Sequence, residues 1–469
     1  MELHERIEQI LVALRPAFRR SATFEWFVLL LWGTLLTTQA PAVTSYVNAL
    51  GLEERYYQQA LHWFHSPGFE IDGLCARWSA WLGQHPGCQR LQGHRVYVGD
   101  GIKVSKEGRK MPGVKGLHQE SEDVSKPEWI RGHYFSALGQ LLGAGQALFA
   151  VPLILKLHDG IKPVEQGAGG TLVDKMADLC LAYMVKGSYA ILDAYYASAK
   201  VLGPVRAAGS HVISRARITT VAKAAFSRCP QPGPGRPRVW GSDILLKDLF
   251  EPKQHCQQAQ VPLYGKRETV YYQCFQFYWD SPDDLVLFVL TQLPNGKRII
   301  LISTDIYLTG VQVIEAYGWR FKIEVTFRTL IQVLSGFAYR FWMQSMETAA
   351  RWPKGLDLAD YPQAFQLKVA RKVEAFERFI NLNAIAMGIL QVLALELPRQ
   401  VGQNFPGWFR TVPKHGYPSE QMVRRAIQAQ DQQARNLTRS NAGRLLAKFL
   451  AKKLDPEQLP VPLRLAVLF

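Results

Sequence analysis

At Gln92 the chain changes its hydrophobic period, and that change limits the fold more than any single motif. Up to about residue 90 the apolar residues recur every three or four positions, the spacing of amphipathic helices. Beyond it, Arg95–Val98 is a β-branched and aromatic run, Gly99-Asp100-Gly101 reads as a turn, and Ile102–Val104 continues extended. Residues 105 to 131 are polar and rich in Lys and Gly, so they read as a loop. Tyr134–Leu142 and Ala147–Leu157 read as strands joined by Gly143-Ala144-Gly145. Thr171–Val185 has helical spacing, and Tyr189–Asp193 is a strand with a carboxylate at its C-terminal end. A helix begins near Ala197 and a strand covers His211–Ile218. Strands alternating with helices in this order point to a layered α/β fold.

The run Cys229-Pro-Gln-Pro-Gly-Pro-Gly-Arg-Pro-Arg238 fits neither a helix nor a central strand, so it marks an excursion from the main fold. After it, Val270–Trp279 and Leu285–Leu293 are strand-like, and Pro294-Asn295-Gly296 turns the chain into Lys297–Thr304. Residues 229–300 therefore read as a β-rich insertion. Thr309-x-x-Gln312 is a capping box that opens a long helix. Ala364–Leu397 is a second long helix, stopped by Pro398, and Ser419–Leu454 is helical and basic. From 401 to 469 there are 11 Lys/Arg against 4 Asp/Glu, which suits either a DNA-backbone surface or a solvated helix face.

Overall, 55 basic side chains outnumber 39 acidic ones, a formal charge of +16 that calls for a polyanionic partner: nucleic acid or an acidic membrane surface. Six scattered cysteines without a C-x-x-C pair argue against a disulfide scaffold and an iron–sulfur protein, and suit a reducing cytoplasm. Cys75, His85 and Cys88 lack the second ligand pair of a zinc site. Phe27–Thr37 is apolar but shorter than the roughly 20 residues of a membrane span, so it reads as a buried helix. No other stretch comes near a span, and no membrane partner is expected. Thr44–Leu52 followed by EERYYQQALHWF is a helix, glycine turn and helix, compatible with a DNA-binding pair.

Three acids carry the chemistry. Asp100 and Asp193 end strands, and Glu324 lies in the helix opened by Thr309. Converging carboxylates repel and raise one another's pKa unless cations intervene. Two Mg²⁺ ions about 4 Å apart remove that repulsion and create a phosphoryl-transfer site. Read singly, each acid also has an ordinary role: an Asp-Gly hairpin turn, a helix cap, an exposed helix acid. Tyr317, Arg320, Glu324 and Arg328 fall on one helical stripe, and Ile323, Val325 and Phe327 fill the other sides, which reads as a largely buried helix. A metal for Glu324 and a phosphate for Tyr317 and Arg320 would satisfy that stripe. Lys103, Lys106, Arg109, Lys110 and Lys115 follow the first Asp and either track DNA phosphates or form a solvated loop.

The segments YVGDGIKV, YAILDAYYA, LISTD and AYGWRFKIEVTFRTL together resemble bacterial insertion-sequence transposases of the cut-and-paste DDE group. The resemblance is closest to those with a Tyr-x2-Arg-x3-Glu-x6-Lys signature and a β insertion before the Glu. It covers about residues 92–345. It implies a ribonuclease-H-like catalytic core over 91–345, with 229–300 inserted, flanked by a helical DNA-end-binding region at 1–90 and a basic helical region at 346–469. It further implies Asp100, Asp193 and Glu324 as catalytic ligands of Mg²⁺, with Mn²⁺ as a substitute, and Tyr317, Arg320, Arg328 and Lys103 on DNA. A homodimer on double-stranded DNA, in the cytoplasm and associated with the nucleoid, is the expected working form. The insertion can also stack a Trp on an unpaired base in that family, and Trp240 and Trp279 lie there. One position departs: Ile331 stands where the signature has Lys. That removes a phosphate contact but no metal ligand, and it admits a second reading, a DNA-binding protein derived from a transposase that no longer cuts.

Overall fold

The computed structural model describes residues 2–119, 127–145, 147–163, 170–225, 241–263, 266–279, 281–408, 416–436, 449 and 452. Five helices open the chain: α1 (Leu3–Leu14), α2 (Ser21–Leu36), α3 (Val43–Ala49), α4 (Tyr57–His65) and α5 (Ile71–Gly83). Every residue from Phe27 to Thr37 is buried, as the run of apolar side chains without a polar face requires. Between α3 and α4, Gly51 takes a φ of 67°, the left-handed turn that glycine accommodates best.

The sheet begins with β1 (Arg90–Leu91) and β2 (His94–Ser105). β2 runs unbroken through Gly99-Asp100-Gly101, which corrects the turn expected there and the placing of Asp100 at a strand end. Gly99 and Gly101 pair with Leu138 and Ser136 in a regular antiparallel ladder. A Cβ on Gly99 would lie 2.6 Å from the Leu192 side chain, and one on Gly101 only 1.9 Å from the Tyr134 hydroxyl. These glycines serve close packing across the sheet, not chain reversal.

Next come β3 (Lys115–His118), β4 (Trp129–Ala144), β5 (Ala147–Leu157), β6 (Ile161–Lys162), α6 (Leu172–Tyr183), β7 (Tyr189–Leu192), α7 (Ala199–Ala207) and β8 (His211–Ala216). The strands and helices read from the sequence between 134 and 218 are these, with Thr171 and Ser198 as caps of α6 and α7. β7 is parallel to both β2 and β8, while β4 is antiparallel to β2 and β5 antiparallel to β4. The centre of the sheet therefore runs β5-β4-β2-β7-β8.

The sheet continues past β8 through β9 (Val221–Lys223), β10 (Asp243–Leu245), β11 (Gln257–Leu263), β12 (Lys266–Trp279), β13 (Ser281–Gln292) and β14 (Arg298–Ser303). β14 pairs antiparallel with β8, β13 with β14 and β12 with β13, so these strands extend the same sheet. The proline-rich run Cys229–Arg238 and Trp240 lie outside the described residues.

After β14 come α8 (Gly310–Trp319) and α9 (Phe321–Leu334), then β15 (Leu356–Asp357), α10 (Gln363–Glu396), α11 (Pro398–Asn404) and α12 (Glu420–Asn436). The Thr309 capping box forms: the hydroxyl accepts from Gln312 N at 3.3 Å, and the Gln312 side chain accepts from Thr309 N at 2.9 Å. The long helix expected after it is instead two, broken at Arg320.

α10 is the axis of the helical half. Among the described residues it is long and apolar enough to cross a membrane, which corrects the expectation that only residues 27–37 come near a span; 89% of its apolar window is buried inside the protein. It seals the edge of the sheet. The Asn381 amide donates to Leu155 O at 2.8 Å and its oxygen accepts from Leu155 N at 2.9 Å, while Glu377 accepts from Leu157 N at 3.0 Å. Three backbone groups of β5, on an edge that would otherwise lie open, are thereby paired. At the other end of α10, Glu396 takes two hydrogen bonds of 2.7 Å from Arg6 and lies 3.1 Å from His85 Nε2. Arg424 of α12 donates to carbonyls of Thr34, Leu35 and Thr37 at the end of α2 and to Val333 near the end of α9. One guanidinium thus caps two helices.

The described cysteines are all free. Cys75 is buried, Cys88 donates to Leu82 O at 3.2 Å, and His85 is engaged by Glu396, so the three do not make a zinc site.

Candidate active site

Side chains alternate along a strand, so Asp100 faces the side of the sheet opposite to Gly99 and Gly101. Gly99 packs towards Met176 of α6; Asp100 therefore points to the side covered by α8 and α9. Asp193 follows β7 directly, and β7 pairs with β2 up to Gly99↔Leu192, so the two carboxyl groups are neighbours. Glu324 stands in the first turn of α9, which is pinned to the sheet by Thr326 Oγ1 donating to Ala150 O at 2.8 Å.

The three acids meet at one cation. Arg320 Nη1 lies 2.9 Å from Asp100 Oδ2 and 3.6 Å from Asp193 Oδ1, and Arg320 Nη2 donates to Glu324 Oε1. Arg320 occupies the joint between α8 and α9. There the backbone tightens to a three-residue pattern, Arg320 N to Tyr317 O at 3.1 Å and Ile323 N to Arg320 O at 3.2 Å. Exposure grades across the site: the side chains of Asp100 and Arg320 are 18% and 17% exposed, those of Asp193 and Glu324 34% and 40%. Asp100 is the innermost carboxylate and Glu324 the one at the mouth.

Burial pushes the Asp100 carboxyl up to about 7, with Asp193 and Glu324 adding to the rise and Arg320 and the Gly101 N–H opposing it. For Arg320, burial acts to lower the pKa, but the negative charge of Asp100, Glu324, Tyr317 and Asp193 outweighs it, so the guanidinium is held charged.

A pocket of about 160 Å³ opens beside this cluster. Its lining includes Asp193, Tyr317 and Arg320, and also Arg215 of β8 and Lys297 at the start of the β14 arm. Nothing in the sequence around Arg215 and Lys297 marks them as neighbours of the acids. Alternation along a strand gives two faces without saying which one borders the acids, so neither residue carried a signal of its own.

The other candidates separate. Arg328 is exposed on α9, one turn beyond Glu324. Val325 and Ile331 are 37% and 46% exposed, so the largely buried helix expected here keeps one open side. Lys103 is three residues from Asp100 and so on the opposite face, where its ammonium donates to His118 O at 2.7 Å. Lys106 is buried, donating to the carbonyls of Phe337 and Tyr339, and does not face a solvated loop. Lys115 pairs with Asp159 at 2.9 Å. Trp279 packs edge-on against Phe288, with ring centroids 6.2 Å apart.

Among the described residues no group of three acid, His or Cys side chains is placed so that it could hold a metal ion, and Arg320 stands between the three carboxylates. Three carboxylates without sulfur or imidazole, gathered around a positive charge, are the type of hard oxygen donor that Mg²⁺ or Mn²⁺ takes.

No family model matches the chain, and no curated protein does. Among solved structures it is similar to a piggyBac transposase in a synaptic complex with hairpin DNA, with 11% identity and a TM-score of 0.38 over 95% of this chain and 78% of that one.

Proposed function

We propose that this chain is a DNA transposase that binds the ends of a mobile element, cuts the DNA and joins the 3′ ends to target DNA by phosphoryl transfer dependent on Mg²⁺ or Mn²⁺. One observation carries the reading: Asp100, Asp193 and Glu324, far apart in sequence and on three different elements, meet at a single cation. The sheet order β5-β4-β2-β7-β8, with β4 antiparallel between β5 and β2, supports reading the centre as a ribonuclease-H-like core.

In this reading the three carboxylates hold the metal ions. The ions, when bound, lower the pKa of the attacking water or 3′-hydroxyl and stabilise the leaving oxygen. Asp100 must be ionised to ligate, so filling the site also returns its carboxyl towards the ordinary range. Tyr317, Arg215 and Lys297 line a cavity that suits a backbone phosphate next to Asp193, and Arg328 on the open side of α9 faces the approaching duplex. The excess charge of +16 supplies the sequence-independent part of binding. Two element ends held at once call for a homodimer on DNA, and chromosomal targets place the work in the cytoplasm, at the nucleoid.

Ile331 in place of the signature Lys favours one other reading, a DNA-binding protein that no longer cuts. A single experiment separates the two. The full chain is incubated with Mg²⁺ or Mn²⁺ and a plasmid carrying its reading frame with the flanking DNA. Double-strand breaks at the flanks are expected, lost in Asp193→Ala with DNA binding retained. Binding without breaks by the unaltered protein would select the non-cutting reading. Absence of binding at any salt concentration would reject both.

A further inference from the structure

We propose that Arg320 is an internal counterion: it holds the three carboxylates together in the DNA-free protein, and divalent cations load fully only when a DNA phosphate draws it away. The inference rests on reading Asp100, Asp193 and Glu324 as the metal site, and it concerns how that site is regulated.

On each of the three carboxylates the guanidinium holds one oxygen, and on Asp100 the other accepts from Gly101 N at 2.7 Å. Arg320 Nη1 is 2.9 Å from Asp100 Oδ2 and 3.6 Å from Asp193 Oδ1, while Nη2 takes Glu324 Oε1. An ion drawn in by all three carboxylates therefore competes with the guanidinium for the space between them. Arg320 is only 17% exposed and surrounded by three acids, so it cannot be withdrawn into solvent without leaving them uncompensated. It can be withdrawn onto another anion. Its position at the α8–α9 joint also puts it in the wall of the pocket that Arg215, Lys297 and Tyr317 line. A phosphate attracted there by Arg215 and Lys297 offers the guanidinium a second, bidentate partner without a large movement.

Such exchange links two ligands. If a duplex raises metal affinity by removing Arg320 from the carboxylates, metal must raise duplex affinity by the same factor. The cutting site is then silenced by its own arginine wherever DNA is absent.

The test is Mn²⁺ binding by the full chain, read from the electron paramagnetic resonance signal of free Mn²⁺, so that cleavage is not needed. Arg320→Gln removes the competitor, and Arg320→Lys keeps a charge for folding but loses the bidentate grip. Without DNA, affinity is expected to rise on the order of tenfold in Arg320→Gln, less in Arg320→Lys, and to vanish in Asp193→Asn. A blunt-ended duplex, corrected for its own Mn²⁺ uptake, should raise the affinity of the unaltered protein and leave Arg320→Gln unchanged. Equal Mn²⁺ affinity in the unaltered protein and both arginine variants, lost in Asp193→Asn, would overturn the counterion role and leave the metal site standing. An unresponsive unaltered protein with duplex would overturn the coupling. No Mn²⁺ binding above the Asp193→Asn background in any variant would overturn the metal reading and this inference together.

Discussion

Lys106→Met tests how the strand that carries Asp100 is anchored. Lys106 is the residue after β2, and its ammonium is buried against the carbonyls of Phe337 and Tyr339 and 3.5 Å from the centre of the Tyr339 ring, with no carboxylate partner among the described residues. Burial above all, helped by the charge of Arg340, brings its pKa from 10.5 down to about 7. The sign follows from proton counting. Between those two values the unfolded chain carries a proton that the folded one lacks, so stability rises with pH across the window. Below about pH 7 the fold bears the full cost of the buried charge, about 5 kcal/mol from the difference between the two values. From about pH 6 to about pH 9, roughly 3 kcal/mol of that cost is relieved.

Methionine fills similar space and does not titrate, but it leaves two carbonyls without a donor at about 1–3 kcal/mol each, a cost independent of pH. The unfolding free energy of the unaltered protein, minus that of Lys106→Met, should therefore grow by about 3 kcal/mol between about pH 6 and about pH 9. Urea titrations followed by tryptophan fluorescence at the two pH values measure it. A difference that stays constant with pH would refute the reasoning: the two carbonyls and the ring would then be compensating the ammonium fully, and it would remain charged throughout.

Three further outcomes are expected. Gly101→Ala sets a methyl 1.9 Å from the Tyr134 hydroxyl, which bonds Tyr196 at 2.9 Å, and should cost about 1–3 kcal/mol, largely recovered in Gly101→Ala/Tyr134→Leu; an undiminished melting temperature in the single variant would contradict the packing role. Asn381→Leu leaves the Leu155 N–H and C=O unpaired at the β5 edge and should cost about 2–6 kcal/mol in denaturant titrations. Ile331→Lys, at a position 46% exposed, should change stability by less than about 0.5 kcal/mol and strengthen DNA binding at low salt; insolubility or a large loss of stability would put Ile331 in a core.

Much of the strand and helix order was legible because period and caps are local signals. The strands at 134–157, 189–192 and 211–216, the Thr309 capping box and the stop at Pro398 each depend on a few adjacent residues. What failed to show depends on partners distant in sequence. Asp-Gly at 100–101 resembles a turn, and only Tyr134 and Leu192 explain why glycine is needed there. The break at Arg320 has no proline to announce it, and the helical period carries across it because the backbone stays in the right-handed region, φ −50°, ψ −39°. Lys106 reads as a loop cation until the carbonyls of Phe337 and Tyr339 are placed on it. The three acids were legible as candidates, whereas the guanidinium among them was legible only as one residue of a stripe.

The pairing of the first helices with α10 has a consequence in time. Arg6 finds Glu396, and α2 is capped by Arg424, across nearly the whole length of the chain. During synthesis, at about 5–20 residues per second, α2 with its apolar run from Phe27 emerges tens of seconds before the surfaces that will cover it. For that interval the nascent chain must be shielded by something else, a chaperone or the ribosome surface. Ribosome-arrested chains ending before residue 363 should accordingly stay protease-sensitive within residues 3–83, and those extended past 436 and clear of the exit tunnel should not.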